Sequence, residues 1–267
     1  MPQTASSQPV STMLDPKTLT VLITGASSGI GAATARRFAS AGARIIAVAR
    51  RKDRLDALKT EFGDLIHTEE LDVRDLDATK ALVAGLPAPF ARFNVVFANA
   101  GLAMGLEPTW EAKMDDWAAM VDTNIKGMLN TVAATLPHMV ERGEGHLVFT
   151  GSVAGDYPYP GGNVYGGTKA FVKQFALNVW ADTAGTGVRV TNIEPGMVET
   201  EFSVVRFRGN KDAADNVYAD MAPMTGADIA EQVFFACSVA RHVNITRIQA
   251  MAGQQGFSPF SVKRKPA

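Results

Sequence analysis

Only one cysteine, Cys237, occurs among the 267 residues of the chain. No intramolecular disulfide can form, so the sequence is not that of a disulfide-stapled secreted domain, and it suits a reducing compartment. A surplus of positive charge is also missing, because 26 Lys and Arg residues stand against 27 Asp and Glu residues. This balance predicts no nucleic-acid partner. No run approaches the roughly 20 apolar residues of a membrane helix, so we expect no membrane association.

The two ends of the chain differ in composition from its centre. Residues 1–18 are polar and rich in Ser, Thr and Pro, and they lack the basic start and apolar core of a signal peptide. We interpret residues 1–18 as a flexible leader, residues 19–252 as one domain and residues 253–267 as a C-terminal tail. We also expect the protein to be cytoplasmic.

Apolar segments of strand length alternate with amphipathic segments of helix length along the centre of the chain. Strands are predicted at residues 19–24, 44–49, 65–71, 93–98, 146–150, 188–193 and 244–251. Helices are predicted at residues 29–41, 52–62, 76–84, 115–141, 163–184 and 228–239, with Pro137 expected to kink or shorten the fourth. Residues 195–224 are expected to form a loop with short helices. The alternation predicts an α/β fold, a single Rossmann-type doubly wound parallel sheet with helices on both faces.

Tyr165 and Lys169 stand four residues apart in the predicted helix at residues 163–184, so their side chains share a face. A phenol normally loses its proton near pH ~10, and a neighbouring cation favours the phenolate. General acid–base catalysis near neutral pH requires such a group. The same spacing also occurs in ordinary helix-surface pairs. Its companions, Ser152 upstream and a glycine-rich segment near the start of the domain, favour hydride transfer with a nicotinamide cofactor.

The glycine-rich segment TGASSGIG lies between the first predicted strand and its helix. Glycine permits a tight turn and close approach of the backbone to a phosphate, and the helix that follows offers free N–H groups. The alternative is a tight turn that needs glycine for its own conformation. As a cofactor site, the segment is expected to contribute Gly25, Ser27, Ser28, Gly29, Ile30 and Gly31.

The second predicted strand ends without the carboxylate that usually binds the adenosine 2′-hydroxyl of NAD. Arg50 and Arg51 follow it instead. Guanidinium groups suit a 2′-phosphate, through charge-assisted hydrogen bonds. The alternative is an ordinary basic start to a helix. We therefore predict NADP(H), rather than NAD(H), as the cofactor.

Further candidate cofactor contacts follow the later strands. The alternative for each residue is a structural role in a turn, with its polar groups hydrogen-bonded locally. We expect the third strand to present its end to the adenine, the fourth to the ribose, and the sixth to the nicotinamide carboxamide. The residues concerned are Asp72, Val73, Asn99, Ala100, Gly101, Pro195, Gly196, Val198 and Thr200.

The ordered set TGASSGIG, LDV, NAG, DTNIKG, Ser152, YxxxK and PGMVET resembles the short-chain dehydrogenase/reductase family over about residues 19–252. The resemblance implies a single Rossmann-type domain with seven strands, in a homo-oligomer, with a tetramer favoured. It implies that Tyr165 is the acid/base and that Lys169 lowers its pKa and holds the nicotinamide ribose. It further implies that Ser152 hydrogen-bonds the reacting oxygen and that Asn124 supports a water-mediated proton relay through Lys169.

Several segments, among them GLAMGLEP, IEPGMVETEFS and VRFRG, resemble the branch of NADP-dependent 3-hydroxy acid dehydrogenases. This likeness implies a small 3-hydroxy acid substrate such as serine, L-allo-threonine or 3-hydroxypropionate, the last giving malonic semialdehyde. A hydroxy acid needs a counter-charge, and Arg206 is the candidate, although a solvated surface arginine is the alternative. Tyr157 and Tyr159 either line the same pocket or stiffen a proline-rich loop. We predict no metal site.

Two other functions remain open from the sequence. One is reduction of bulkier ketones on the same scaffold. The other is a catalytically silent, NADP-binding regulatory protein, against which the intact set of Ser152, Tyr165, Lys169 and Asn124 argues.

Overall fold

The structure is a computed structural model that describes residues 13–257 and residue 262. Its main sheet contains β1 (Thr20–Thr24), β2 (Arg44–Ala49), β3 (Ile66–Glu70), β4 (Val95–Ala98), β5 (Gly145–Thr150) and β6 (Val188–Pro195). β7 (Val198–Glu199) and β8 (Met224–Thr225) form a separate two-stranded pair, and β9 (Arg247–Ala250) completes the main sheet. Within the described part of the chain the main sheet has seven strands, all parallel, in the order β3-β2-β1-β4-β5-β6-β9. The predicted sheet is confirmed.

Helices cover both faces of this sheet. They are α1 (Gly29–Ser40), α2 (Lys52–Phe62), α3 (Leu76–Gly85), α4 (Ala88–Ala91), α5 (Met114–Val121), α6 (Met128–Arg142), α7 (Asn163–Asp182), α8 (Glu201–Arg206), α9 (Lys211–Asn216) and α10 (Gly226–Ser238). The predicted loop at residues 195–224 contains the short helices α8 and α9, as expected.

The pleat of each strand divides the core into two apolar layers. In β1, Val21 and Ile23 face one layer, which also takes Phe38 of α1 and Val233 of α10. Leu22 faces the opposite layer, packed by α3, α6 and α7. All three β1 side chains are buried. Strands covered on both faces are nearly all apolar, which is why these runs were recognisable in the sequence.

The strand order determines where a ligand-binding crevice forms. The chain runs outward from β1 through β2 to β3, then returns to β4 on the other side of β1. A crevice opens at the carboxyl ends of the strands where the order reverses, and ligands of open α/β sheets bind there. The loops after β1, β4, β5 and β6 meet at this edge.

The long helix predicted at residues 115–141 is interrupted, but not where the sequence suggested. α5 and α6 are separated by a π-helical segment, Asp122–Gly127, and Pro137 lies inside α6 without ending it. Pro137 has no N–H to donate to the carbonyl of Ala133. Both residues are exposed, so water can hydrogen-bond to that carbonyl instead. The π-helical segment contains Asn124, and such insertions often mark functional sites.

The ends of the predicted domain carry some structure of their own. In the predicted leader, residues 1–12 lie outside the described residues, whereas Pro16–Thr18 forms a 3₁₀ turn and the Leu14 N–H donates to the Ser238 carbonyl at 2.7 Å. In the predicted tail, the Gln255 side chain accepts from the Met197 N–H at 2.8 Å. Residues 258–261 and 263–267 lie outside the described part. No helix among the described residues is long and apolar enough to cross a membrane.

Candidate active site

The carboxyl edge of the sheet opens into a cavity of about 400 Å³. Nearly all of the residues predicted for the site line it: Gly25, Ser27, Ser28, Gly29, Ile30, Arg50, Arg51, Asp72, Val73, Asn99, Ala100, Gly101, Ser152, Tyr165, Lys169, Pro195, Gly196, Val198, Thr200 and Arg206. Two other predicted residues, Gly31 and Asn124, lie behind its wall.

Tyr165 and Lys169 lie one turn apart on α7 and face Ser152, which follows β5. The Lys169 ammonium is buried, donates to the Thr150 carbonyl at 2.7 Å and lies 5.8 Å from the centroid of the Tyr165 ring. The Ser152 hydroxyl accepts from the Ala154 N–H at 3.1 Å, which fixes its side chain. Three polar groups from two elements thus meet at the base of the cavity.

The pKa of Tyr165 differs from the expectation based on Lys169. Burial raises the pKa of Tyr165 to about 12, while the charge of Arg206 is the strongest influence in the opposite direction and the hydroxyl of Ser152 adds to it. The net shift of this pKa is upward, because the free energy lost when the phenolate is removed from water exceeds the stabilisation that Arg206 and Ser152 provide. Burial also lowers the pKa of Lys169 to about 8, since a buried ammonium is poorly solvated.

Asn124 is fully buried in the π-helical segment. Its side chain accepts from the Leu102 N–H at 2.8 Å and donates to the Leu102 carbonyl at 2.9 Å and to the Thr168 hydroxyl at 3.1 Å. A Cβ atom on Gly101 would lie 3.2 Å from the Asn124 amide oxygen and 3.7 Å from the Lys169 ammonium. Asn124 therefore ties the loop after β4 to α7, directly behind Lys169.

The glycine-rich turn closes tightly between β1 and α1. Gly25 and Gly29 have φ values of +69° and +51°, a region that side chains other than glycine rarely adopt. A Cβ atom on Gly31 would lie 2.2 Å from the Gly25 carbonyl oxygen, so the turn closes only around glycine. Ser28, which precedes α1, makes no capping hydrogen bond from its side chain, which leaves first-turn N–H groups available to a phosphate.

Asn99 stabilises this turn from the neighbouring strands. Its amide donates to the Thr24 carbonyl at 3.0 Å, and its amide oxygen accepts from the Thr150 hydroxyl at 3.0 Å. One side chain thus joins the ends of β1, β4 and β5.

The charged residues at the far end of the cavity are already engaged. Arg51 binds Glu201 at 2.9 Å, and its Nε and Nη2 atoms each lie 3.3 Å from the Ser27 hydroxyl. The pKa of Asp72 is lowered, chiefly by hydrogen bonds from Arg74 and to a small extent by the charge of Arg50. The two arginines predicted to bind a phosphate both line the cavity.

Arg206 is buried rather than solvated, with 8% of its surface exposed. It donates to the Tyr159 hydroxyl at 2.8 Å, but its Nε–H has no hydrogen-bond partner among the described residues. None of the ion pairs within residues 13–257 involves it. A buried cation without a counter-charge is costly, so the arrangement suits an anionic ligand. Tyr159 lines the cavity, whereas Tyr157 turns away toward Gln249.

Sequence reasoning missed several residues that the fold brings to the cavity. The Phe202 ring lies 5.6 Å from the Tyr165 ring, and the Tyr218 hydroxyl bonds the Val198 carbonyl at 2.8 Å. Both lie between residues 195 and 224, where no periodic pattern marks an inward face. No group of three or more His, Cys, Asp or Glu side chains in the described ranges is arranged to hold a metal ion.

Comparisons with known proteins identify relatives of this chain. The profile of the short chain dehydrogenase family matches residues 19–211. The chain is 49% identical to an NADP-dependent 3-hydroxy acid dehydrogenase of Salmonella typhi, over 91% of this chain and 99% of that protein. It is 48% identical to a serine 3-dehydrogenase of Rhizobium radiobacter, over 92% of this chain and 98% of that protein. The closed form of a serine dehydrogenase complexed with NADP+ superimposes with a TM-score of 0.89 at 45% identity, covering 92% of this chain and 100% of that one.

Proposed function

This chain belongs to the short-chain dehydrogenase family, and we propose that it is an NADP(H)-dependent oxidoreductase that interconverts a small 3-hydroxy acid and its oxo acid. The names of its relatives support both the cofactor and the substrate class. The observation that carries the proposal is the meeting of Ser152, Tyr165 and the buried, unpaired Arg206 around one cavity. The first two provide acid–base chemistry, and the third provides the counter-charge for a carboxylate.

Tyr165 is the acid/base of the proposed reaction. A bound nicotinamide supplies the redox chemistry by donating or accepting a hydride. In the reductive direction the Tyr165 phenol, which is protonated at neutral pH because its pKa is about 12, donates its proton to the substrate carbonyl oxygen. The Ser152 hydroxyl hydrogen-bonds the same oxygen and stabilises its developing charge. In the oxidative direction the phenolate of Tyr165 accepts the alcohol proton.

Lys169 and Asn124 support that proton transfer. A pKa of about 8 allows Lys169 to gain and lose a proton near neutral pH. Asn124 fixes the backbone beside the Lys169 ammonium, and we assign it to the relay that restores the proton of Tyr165. Lys169 also contacts the nicotinamide ribose in this proposal.

The remaining lining residues are assigned to different parts of the cofactor. Arg50, Arg51 and Ser27 bind the 2′-phosphate, and the glycine-rich turn holds the pyrophosphate. Asp72 and Val73 flank the adenine. The loops after β4 and β6 contact the ribose and the carboxamide through Asn99, Ala100, Gly101, Pro195, Gly196, Val198 and Thr200.

The charges of the cavity favour a 3-hydroxy acid without an ammonium group. The carboxylates that line it are Asp72 and Glu201, and both are paired with arginines at the cofactor end. Residues 1–12, 258–261 and 263–267 contain no Asp or Glu. The substrate end therefore offers a cation to the carboxylate and no side-chain anion to the ammonium of serine. 3-Hydroxypropionate, or a close analogue, fits this balance better.

The alternative functions find less support. Phe202, Tyr159 and Tyr218 crowd the substrate end, which disfavours bulky ketones. The convergence of Ser152, Tyr165 and Lys169 argues against a catalytically silent protein.

Assembly and location are part of the proposal. We infer a homo-oligomer, because α7 exposes the large apolar side chains Phe171, Leu177 and Trp180, and the family resemblance favours a tetramer. We also infer a cytoplasmic location, which the single buried cysteine, Cys237, suits.

The test compares three small alcohols with NADP+ and with NAD+: 3-hydroxypropionate, L-serine and an uncharged alcohol of similar size. NADP+ should support turnover, and kcat/KM should be higher for 3-hydroxypropionate than for serine. Arg206→Ala should raise KM for 3-hydroxypropionate roughly 10- to 100-fold, the scale of a lost charged hydrogen bond, and leave KM for the uncharged alcohol nearly unchanged. Arg206→Lys keeps the charge without the planar fork, so its defect should be intermediate.

Three results would count against the proposal. Equal effects on KM for the charged and the uncharged substrates would make Arg206 structural. Preference for bulky ketones would favour the second function, and NADPH binding without any turnover would favour the silent protein.

A further inference from the structure

Glu201 lies at the cofactor end of the cavity, where it forms an ion pair with Arg51. It is the first residue of α8, and its carboxylate lies 2.9 Å from Arg51 Nη1 and 3.6 Å from Arg54 Nη2. Arg51 immediately precedes α2 on the opposite wall. The side chains of Arg51 and Glu201 are both a little over 40% exposed, so their ion pair is accessible to ligands.

The same guanidinium also faces the place proposed for the phosphate. While Nη1 of Arg51 binds Glu201, its Nε and Nη2 atoms both point at the Ser27 hydroxyl, 3.3 Å away. That edge of a guanidinium is suited to two oxygens of one phosphate. A phosphate bound there would share Arg51 with the Glu201 carboxylate, and the two anions would repel each other.

We propose that Glu201 is a specificity-determining residue that competes with the adenosine 2′-phosphate for Arg51. This inference rests on the proposed NADP(H) dependence. A half-exposed ion pair is weak, so a phosphate carrying nearly two negative charges binds beside the carboxylate at a modest cost. NADH has a neutral hydroxyl at the same position and does not compete. Glu201 therefore lowers the affinity for NADPH, leaves that for NADH unchanged, and speeds release of the phosphorylated cofactor.

The test is equilibrium titration of the full chain with NADPH and NADH, followed by fluorescence at low salt. Glu201→Gln keeps the shape of the side chain and removes its charge. Its Kd for NADPH should fall about two- to fivefold, the scale of one exposed ion pair, with no change for NADH. In an Arg51→Gln background the gain should be smaller, because the carboxylate and the phosphate no longer share a partner and only their direct repulsion remains.

Glu199→Gln is the matched control. Glu199 is exposed, lies two residues before Glu201, and takes part in none of the ion pairs found in the described ranges. An equal gain in NADPH affinity from Glu199→Gln would mean that any nearby charge acts, and would overturn the proposal. Unchanged or weaker NADPH binding by Glu201→Gln would also overturn it. If the unsubstituted protein bound neither cofactor, the proposed function itself would fail, which is a separate outcome.

Discussion

The guanidinium carbon of Arg206 lies 5.0 Å from the centroid of the Tyr165 ring. This contact joins the residue proposed to bind the substrate carboxylate to the residue proposed to transfer the proton. Arg206 is also the strongest of the groups that lower the pKa of Tyr165, against the larger effect of burial. One cation therefore acts both on substrate binding and on acid–base chemistry.

The pH dependence of oxidation should report this contact. Oxidation needs the phenolate, so its rate should rise with pH until the pKa of Tyr165, about 12 in the free protein, is approached. Arg206→Gln removes a charge that favours the phenolate, so the rise should move to higher pH. Reduction needs the phenol, which already predominates at neutral pH, so it should change little. The measurement is the pH profile of kcat with an uncharged substrate, in both directions. Arg206→Lys should keep the original profile, and an unshifted profile in Arg206→Gln would show that the contact is not electrostatic.

Tyr165→Phe should abolish turnover while the fold and NADPH binding persist. The ring keeps its packing against Phe202 and loses only the hydroxyl. General acid–base catalysis contributes at least about 10²-fold, so kcat should fall by that factor or more. Steady-state kinetics gives the loss, and circular dichroism with cofactor titration provides the control. A near-normal kcat would refute the assigned role.

Neutral substitutions of Arg50 and Arg51 should change cofactor preference. Charge-assisted contacts to a phosphate contribute about 1.5–3 kcal/mol each, and NADH does not make them. The double variant Arg50→Gln, Arg51→Gln should therefore weaken NADPH binding by at least about 100-fold and leave NADH binding nearly unchanged. Equal losses for both cofactors in the titration would show that these arginines do not bind the 2′-phosphate.

Polar substitutions on α7 should disrupt the assembly. Phe171, Leu177 and Trp180 of α7 are 37%, 40% and 43% exposed, and a cluster of large apolar side chains on one helix is what an interface between copies would cover. Phe171→Glu with Trp180→Glu should lower the mass measured by light scattering after size exclusion. The matched control is Thr60→Glu, which adds the same kind of charge at an exposed polar position of α2. A monomeric unsubstituted protein, or a mass that does not change in the variant, would contradict the inferred interface.

The sequence alone determined the fold and most of the cavity wall. Parallel strands that are covered on both faces must be apolar, so the sequence shows them as short apolar runs. The predicted bounds of β2 and α2 are the same as the observed ones. The glycine-rich turn and the Tyr165–Lys169 spacing are local features. Each depends on residues within one or two turns of one another, so each could be recognised before the fold was known.

Only the tertiary structure decided how these groups act on one another. Arg206 and Glu201 lie in a segment without periodic pattern, and their partners, Tyr165 and Arg51, come from distant parts of the chain. Burial, a property of the packed molecule as a whole, dominates the pKa of Tyr165, and the cation that lowers this pKa is Arg206 rather than the expected Lys169. Electrostatics and burial depend on distances in space, and spacing along the chain specifies these only within a single element.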